Sequence, residues 1–229
     1  KVRASEDGHR DLADILQGLI RNIEAQSRAD TAYDTAGFYA VAGGYGLFRI
    51  ATEYSNDDAF DQDIRIKEVR NPFTVKFGPA KEFDKRDARY LFVDDTLTRE
   101  EFEGKYPDAK MVDFSAGNSA NAYGDWYTEK TVRIAEYWCK HKAKKTIYQL
   151  SDGRVLDEDD YLAMQPYLGQ LGPNGEALSL KNQRSVTYDK ITMEIGSGAE
   201  TLEGPYEWAG KFFPFVPVWG ELVNVNGEE

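Results

Sequence analysis

The spacing of apolar residues in the first 44 positions predicts two helices. From Leu12 to Ile23, apolar side chains recur at helical intervals and form one stripe. A second helix is expected from about Ala29 to Ala42, where small apolar residues would allow another element to approach closely. Its bulky contacts are expected to be Tyr33, Phe38 and Tyr39. Gly43-Gly44 should end it, because glycine commonly follows a helix C-terminus.

From Tyr45 the period of the pattern changes to two, which predicts strands. The first strand runs to Tyr54, and an acidic turn follows it. Three further β-like runs are Ile64–Val69, Phe73–Phe77 and Tyr90–Val93. They are separated by the turn signals Asn71-Pro72 and Gly78-Pro79. A short helix should open at Thr98, with acidic residues in its first turn, and stop before Pro107.

The centre of the chain predicts a β-hairpin. Thr131–Lys140 alternates between apolar and polar residues, and we expect Lys144–Leu150 to pair back on it. Asp152-Gly153 is a strong two-residue turn signal leading into Arg154-Val155. The acidic run Asp157–Asp160 should then cap a helix that extends to about Tyr167.

The last third of the chain predicts mainly strands. Arg184–Ile195 is a long strand, and a glycine-rich turn leads to Glu200–Leu202. Phe212–Val218 contains two prolines, which favours an edge strand or an extended segment. Residues 112–127 and 166–182 are expected to be loops. The fold class is therefore α+β, a helical pair at residues 1–44 followed by a β-rich part at 45–229. This part should be a largely antiparallel sheet or small barrel with short inserted helices.

Composition narrows the function classes. The 229 residues can bury a proper core, and no apolar run approaches the length of a bilayer span. The chain starts at Lys1 without an initiator Met or a visible signal peptide, so we expect an excised internal fragment, treated as a single fragment over 1–229. One cysteine, Cys139, excludes an internal disulfide framework. A net charge of −12 disfavours a protein that reads nucleic-acid sequence.

No residue pattern in the chain indicates a catalytic, cofactor-binding or metal-binding residue. His9 and His141 lack partners at zinc-ligand spacing. A nucleophilic pair of Cys139 and His141 is formally possible, but nothing supplies an orienting third group. Gly43–Gly46 precedes a strand instead of following one, which is the wrong context for a phosphate loop. The acidic turn at residues 57–63 does not have the spacing of a calcium-binding loop.

Two other features leave alternatives open. The basic run Lys140–Lys145 could contact phosphate, but a hairpin turn whose lysines keep the strand ends solvated is favoured. The tryptophans could stack on bases or sugars, although core positions are favoured; they are Trp126, Trp138, Trp208 and Trp219. The residues thus favour a structural or assembly role. The alternatives are a carboxylate-based hydrolase with an unidentified Asp/Glu pair and an aromatic-lined carbohydrate-binding module.

A series of short motifs in a fixed order resembles the portal proteins of short-tailed (podovirus-type) bacteriophages. In the first half the motifs are Gly44–Thr52, Asn71-Pro72-Phe73, Asp87–Tyr90, Thr98–Phe102 and Lys105–Pro107. In the second half they are Arg133–Tyr137, Lys144–Thr146, Ser151–Val155, Gly204–Trp208 and Phe215–Glu221. The resemblance covers roughly Asp11 to Asn226, and its specificity lies in the order and spacing of motifs that are individually weak.

The resemblance implies a structural protein without enzymatic activity or cofactors. Portal proteins form a ring, typically of twelve subunits, at one capsid vertex, and double-stranded DNA passes non-specifically through it. The implied partners are further copies of the chain, terminase, capsid or scaffolding proteins and tail proteins, with no membrane. The implied location is the virion, with the host cytoplasm during assembly and a possible prophage origin. This chain would be the peripheral wing, without the stem and tunnel helices. An acidic ring repels DNA, which suits a conduit.

Overall fold

A computed structural model describes residues 2–3, 10–110, 130–170 and 177–220 of the chain. His9, Trp126 and the predicted loop at 112–127 lie outside these ranges, as does 171–176 of the predicted loop at 166–182. The chain divides into two compact units. Unit 1 comprises Lys1–Trp138, Glu194–Gly204 and Phe212–Glu229, and unit 2 comprises Cys139–Met193 and Pro205–Lys211.

Unit 1 begins with the two predicted helices. Helix α1 spans Arg10–Ser27 and helix α2 spans Ala29–Gly43. Arg28 joins them in the left-handed backbone conformation, with φ of 49°. No residue of α1 is buried, and most of its apolar stripe is open to solvent, as in Ile15, which is 67% exposed. The helix prediction is confirmed, but the stripe is not covered within the described residues.

Helix α2 packs closely on the strand that follows it. Its buried residues are all alanines: Ala29, Ala32, Ala36 and Ala40. A Cβ atom on Gly46 would lie 1.9 Å from the Ala36 carbonyl oxygen, so only glycine fits there. This confirms the predicted close approach. Phe38, however, is 67% exposed and is not a contact with the sheet. It lies two positions from both Ala36 and Ala40, about 200° around the helix from each.

The first sheet contains three antiparallel strands. They are β1 (Tyr45–Tyr54), β2 (Gln62–Glu68) and β9 (Phe215–Trp219), in the order β2-β1-β9. The amide of Ile50 donates to the carbonyl of Pro214, and that of Gly220 donates to Gly44. The backbone N–H and C=O groups of the even-numbered residues of β9 therefore bond to β1. The backbone groups of Pro217, an odd-numbered residue, point to the outer edge of the sheet. This agrees with the predicted edge strand.

The second sheet contains six strands, of which β5, β7 and β8 contribute residues to both units. Its strands are β3 (Val75–Phe77), β4 (Tyr90–Thr98), β5 (Thr131–Leu150), β6 (Val155–Leu156), β7 (Leu180–Ser197) and β8 (Thr201–Trp208). The order is β3-β4-β5-β7-β8, and β6 pairs with β5. Two short helices are inserted, α3 (Arg99–Lys105) and α4 (Glu158–Met164). The fold is α+β, as predicted, with open sheets and no closed barrel among the described residues.

The predicted hairpin between Thr131 and Leu150 is wrong. These residues form one continuous strand of 20 residues. The run Lys140–Lys145 contains no glycine, proline, asparagine or aspartate that would favour a turn. Side chains of this run also have partners on β7. Lys142 pairs with Asp189 at 3.0 Å, and His141 contacts Thr192 at 3.0 Å. The favoured interpretation of these lysines as a hairpin turn is therefore wrong as well.

One shorter strand prediction needs correction. The start of Phe73–Phe77 is a single 3-10 turn, Pro72–Thr74, and only Val75–Phe77 is a strand. The cause is local, because the Asn71 side chain accepts a hydrogen bond from the Phe73 amide at 3.1 Å. Proline in the first turn position also fixes the backbone there.

Each unit has its own buried residues. In unit 1, Phe102, Val132 and Ile134 form a hydrophobic cluster together with half-buried Leu202 and Ile195. In unit 2, Leu150 and Ile191 are buried, and the rings of Tyr148 and Tyr161 stack at 4.1 Å, which fixes α4 on β5. The predicted Asp157 cap is confirmed, because its carboxylate accepts from the Asp160 amide at 3.1 Å.

Candidate functional surfaces

A mixed charged and aromatic cluster joins three strands inside unit 1. Arg49 on β1 donates to Glu136 on β5 at 2.9 Å, and the other Glu136 oxygen accepts from the Trp138 indole at 3.0 Å. The guanidinium also lies 5.0 Å from the ring centre of Phe215 on β9. All these groups engage one another, so the cluster is a structural connection between the two sheets of unit 1.

Unit 1 also has a cleft that contains carboxylates. Its volume is about 320 Å³, and its lining includes Asp108 and Glu200. Glu200 accepts from the backbone amide of Lys110, and the neighbouring Glu203 accepts from the Tyr106 hydroxyl at 2.5 Å. Burial raises the pKa of Tyr106, and the bond to Glu203 raises it further. These two glutamates hold the segment after α3 against β8, and nothing in their arrangement favours the hydrolase alternative.

A second cavity in unit 1 brings aromatic and basic side chains together. It has a volume of about 300 Å³, and its lining is mainly apolar: Phe77, Phe212, Phe213, Phe215, Val216 and Pro217. Lys85 lies at its rim in a left-handed conformation, with its ammonium 5.4 Å from the Trp219 ring centre. Trp219 donates its indole N–H to the Phe83 carbonyl at 2.9 Å. Contacts within unit 1 therefore fix the Trp219 ring in place. The described residues that line this cavity do not form an aromatic platform for a sugar.

The hairpin between β1 and β2 ends in an exposed tip, which we define as residues 54–64. The Ser55 amide donates to the Asp61 carbonyl at 2.9 Å and closes the loop. Phe60 is 96% exposed, and Tyr54 is 63% exposed. Among the described residues, no cation pairs with Asp57, Asp58 or Asp61. The tip therefore combines exposed apolar surface with uncompensated negative charge.

Unit 2 presents a shallow cavity on one face of its part of the sheet. The cavity measures about 290 Å³ and is lined by Ile147, Gln149, Val155, Asn182, Gln183 and Arg184. Lys145 lies on the same face, because residues two apart on a strand point to the same side. Its ammonium is 5.2 Å from the Tyr188 ring centre. In the described part of the chain, neither Lys145 nor Arg184 has a carboxylate partner, so this face carries positive charge.

The predicted absence of catalytic, cofactor-binding and metal residues remains a prediction. In the described ranges, no group of three or more His, Cys, Asp or Glu side chains is placed to hold a metal ion. The structure does not bring Cys139 and His141 together with a third catalytic group within those ranges. No described helix is long and apolar enough to cross a membrane. Sequence reasoning missed Arg49 and Glu136, whose 87-residue separation gave no local signal.

Comparisons with known proteins agree with the sequence motifs. A family model described as "Phage P22-like portal protein" matches residues 1–229. A protein named "Portal protein" from Acyrthosiphon pisum secondary endosymbiont phage 1 is 27% identical over 228 residues. That match covers 95% of this chain, which spans about 31% of the length of the relative. The chain belongs to the P22-like family of phage portal proteins.

Proposed function

We propose that this chain is the peripheral wing part of a portal protein whose copies form a ring, typically of twelve, at one vertex of the capsid. Double-stranded DNA would pass through this ring during packaging and ejection. The observation that carries the proposal is the family match over the whole chain. The proposed role is structural and involves no catalysis, cofactor or membrane.

The composition of the chain supports the conduit role. A net charge of −12 gives this peripheral part a field that repels the phosphate backbone, so it would not hold DNA away from the channel. The proposed partners are other copies of the protein, a terminase, capsid or scaffolding proteins and tail proteins. The proposed location is the virion vertex, with the host cytoplasm during assembly; a prophage origin fits the same role.

Electron microscopy of the full-length protein tests the proposal directly. We expect closed rings with a central channel, in which density for this chain lies at the periphery. A full-length protein that stays monomeric at micromolar concentration, or a ring in which this chain lines the channel, would contradict it. The second case would leave the ring intact and reject only the wing assignment.

A further inference from the structure

We propose that the acidic hairpin tip of one copy inserts Phe60 into the basic cavity on unit 2 of a second copy. The proposal rests on the proposed ring, because a closed ring uses two different surfaces of each subunit, one on each side. The tip and the cavity are two such surfaces, and they carry opposite charge.

The tip has the features of a protruding anchor. Phe60 exposes 96% of its surface, and Tyr54 and Ile64 beside it are 63% and 47% exposed. Scattered exposed apolar residues are ordinary, but here three lie within eleven residues of one hairpin tip. Interfaces commonly place such an aromatic residue at their centre, inside a pocket of the partner and surrounded by polar groups.

The cavity has the matching features of a receptor. Ile147 and Val155 give its lining an apolar part, and Gln149 and Asn182 supply amides that can bond to a backbone. Lys145 and Arg184 place two cations on the same face. The tip carboxylates of Asp57, Asp58 and Asp61 would surround the inserted ring with the opposite charge.

The distribution of charge in the chain favours a second copy as the partner. Unit 2 contains nine Lys or Arg and eight Asp or Glu residues, so the negative net charge resides in unit 1. Contacts between the acidic units of two copies are repulsive, whereas the tip of unit 1 and the cavity face of unit 2 attract. Complementary charge of this kind also fixes the register of an interface.

Charge reversal in the full-length protein tests the contact. Asp57→Lys with Asp61→Lys reverses the tip, and Lys145→Glu with Arg184→Glu reverses the cavity rim. We expect each pair to raise the protein concentration needed for half-maximal ring assembly by about tenfold or more. Combining both pairs in one chain should restore assembly to within about threefold of the wild type. Mass photometry measures the distribution of monomers and rings at each protein concentration. Added salt should weaken wild-type assembly.

Matched controls separate this contact from general charge effects. Asp14→Lys with Asp34→Lys changes net charge equally on the exposed surfaces of α1 and α2, and should leave assembly unchanged. Phe60→Ser should weaken assembly, whereas Phe73→Ser, at another exposed phenylalanine (63%), should not. A Phe60→Cys chain mixed with a differently tagged Gln149→Cys chain should form a disulfide between copies under mild oxidation.

The outcomes distinguish this contact from the ring itself. If wild-type protein forms no ring, the proposed function and the contact both fail. If rings form and both reversals assemble like wild type, only the contact is rejected. Three other results also overturn it: failure of the combined variant to recover assembly, a disulfide that forms only within one chain, and a rim reversal that abolishes duplex DNA binding without affecting assembly.

Discussion

Arg49 is the residue at which the polar and aromatic packing of unit 1 converges. Its side chain is 28% exposed and that of Glu136 is 23% exposed, so their ion pair is shielded more than the surface pairs around it. Its Nε atom is buried without a hydrogen-bond partner in the structure. The guanidinium therefore stabilises unit 1 through its ion pair with Glu136 and its contacts with two aromatic rings. One of its N–H donors stays unsatisfied, which reduces this gain.

Replacing Arg49 should destabilise unit 1 more than an ordinary surface substitution. We expect Arg49→Ala to lower the free energy of unfolding by about 2 kcal/mol, because it removes the ion pair and both ring contacts. Glu136→Gln keeps an acceptor for the Trp138 indole and should cost less, about 1 kcal/mol. Urea unfolding followed by tryptophan fluorescence measures both changes.

An exposed ion pair provides the control for this prediction. Arg70 is 88% exposed beside Glu68, and Arg70→Ala should leave the urea midpoint unchanged. Equal losses for Arg49→Ala and Arg70→Ala would show that burial and ring contacts add nothing at Arg49.

Local bonds at Thr98 make the start of α3 sensitive to acid. Thr98 and Glu101 form a reciprocal capping box, which lowers the pKa of the Glu101 carboxyl through its bonds to the Thr98 backbone amide and hydroxyl. A lowered pKa in the folded state means that this stabilisation is complete above the ordinary pKa of 4.5. It is lost as the pH falls below that value.

The variant Thr98→Ala should cost about 1 kcal/mol at pH 7 and less at pH 3. Thermal unfolding at the two pH values, compared with wild type, measures the difference. Glu103→Gln on the same helix is the control, because the capping box does not use Glu103. A Thr98→Ala cost that is the same at both pH values would exclude the Glu101 contribution.

At the level of elements, the contact of α2 with β1 depends on a single missing side chain. Gly46→Ala would put a Cβ atom 1.9 Å from the Ala36 carbonyl oxygen, so helix and strand would have to separate. We expect a loss of about 3 kcal/mol. A Cβ atom added at Gly37, which lies on α2, would meet nothing within 4 Å. Gly37→Ala should therefore raise the free energy of unfolding by about 0.5 kcal/mol.

Chemical denaturation of both glycine variants checks the sign as well as the size of these effects. If Gly46→Ala proves neutral, the close approach does not exist in solution. Destabilisation by Gly37→Ala would mean that the outer face of α2 is covered by another surface.

Elements defined by local chemistry were predictable from the sequence, and elements defined by distant partners were not. The Thr98 cap, the alanine face of α2 and the Asp152-Gly153 turn depend on residues close together in the chain. The continuity of β5 depends instead on partners about 50 residues away on β7, such as Asp189 and Thr192. The lysine run looked like a turn because these acceptors could not be assigned from sequence.

At the scale of the whole molecule, the uneven charge should govern how the chain meets DNA. The net negative charge of unit 1 outweighs the attraction of DNA to the cations of unit 2, so we expect no tight binding of a duplex at physiological salt. Fluorescence anisotropy with a short labelled duplex measures this. The variant with Lys145→Glu and Arg184→Glu is the control, and its affinity for the duplex should differ little from that of the wild type. A sub-micromolar affinity would contradict the conduit role.

The 229-residue chain on its own should be monomeric or only weakly self-associating. The chain covers 31% of the length of its relative, and a single tip-and-cavity contact is small for a stable interface. Light scattering over a concentration series measures the state. A stable ring formed by this chain alone would show that the remaining two thirds of a portal protein are not needed for assembly.

The proline of β9 affects how neighbouring copies of the chain avoid pairing their sheet edges. Pro217 faces the outer edge of the first sheet, so that edge lacks an amide donor at its centre. Pro205 likewise lies within β8, an edge strand of the second sheet, and removes an amide donor from that strand. A ring would hold many identical edges at high local concentration, which is the condition that favours runaway sheet extension. Neighbouring copies could then meet side chain to side chain without fusing into amyloid-like ladders.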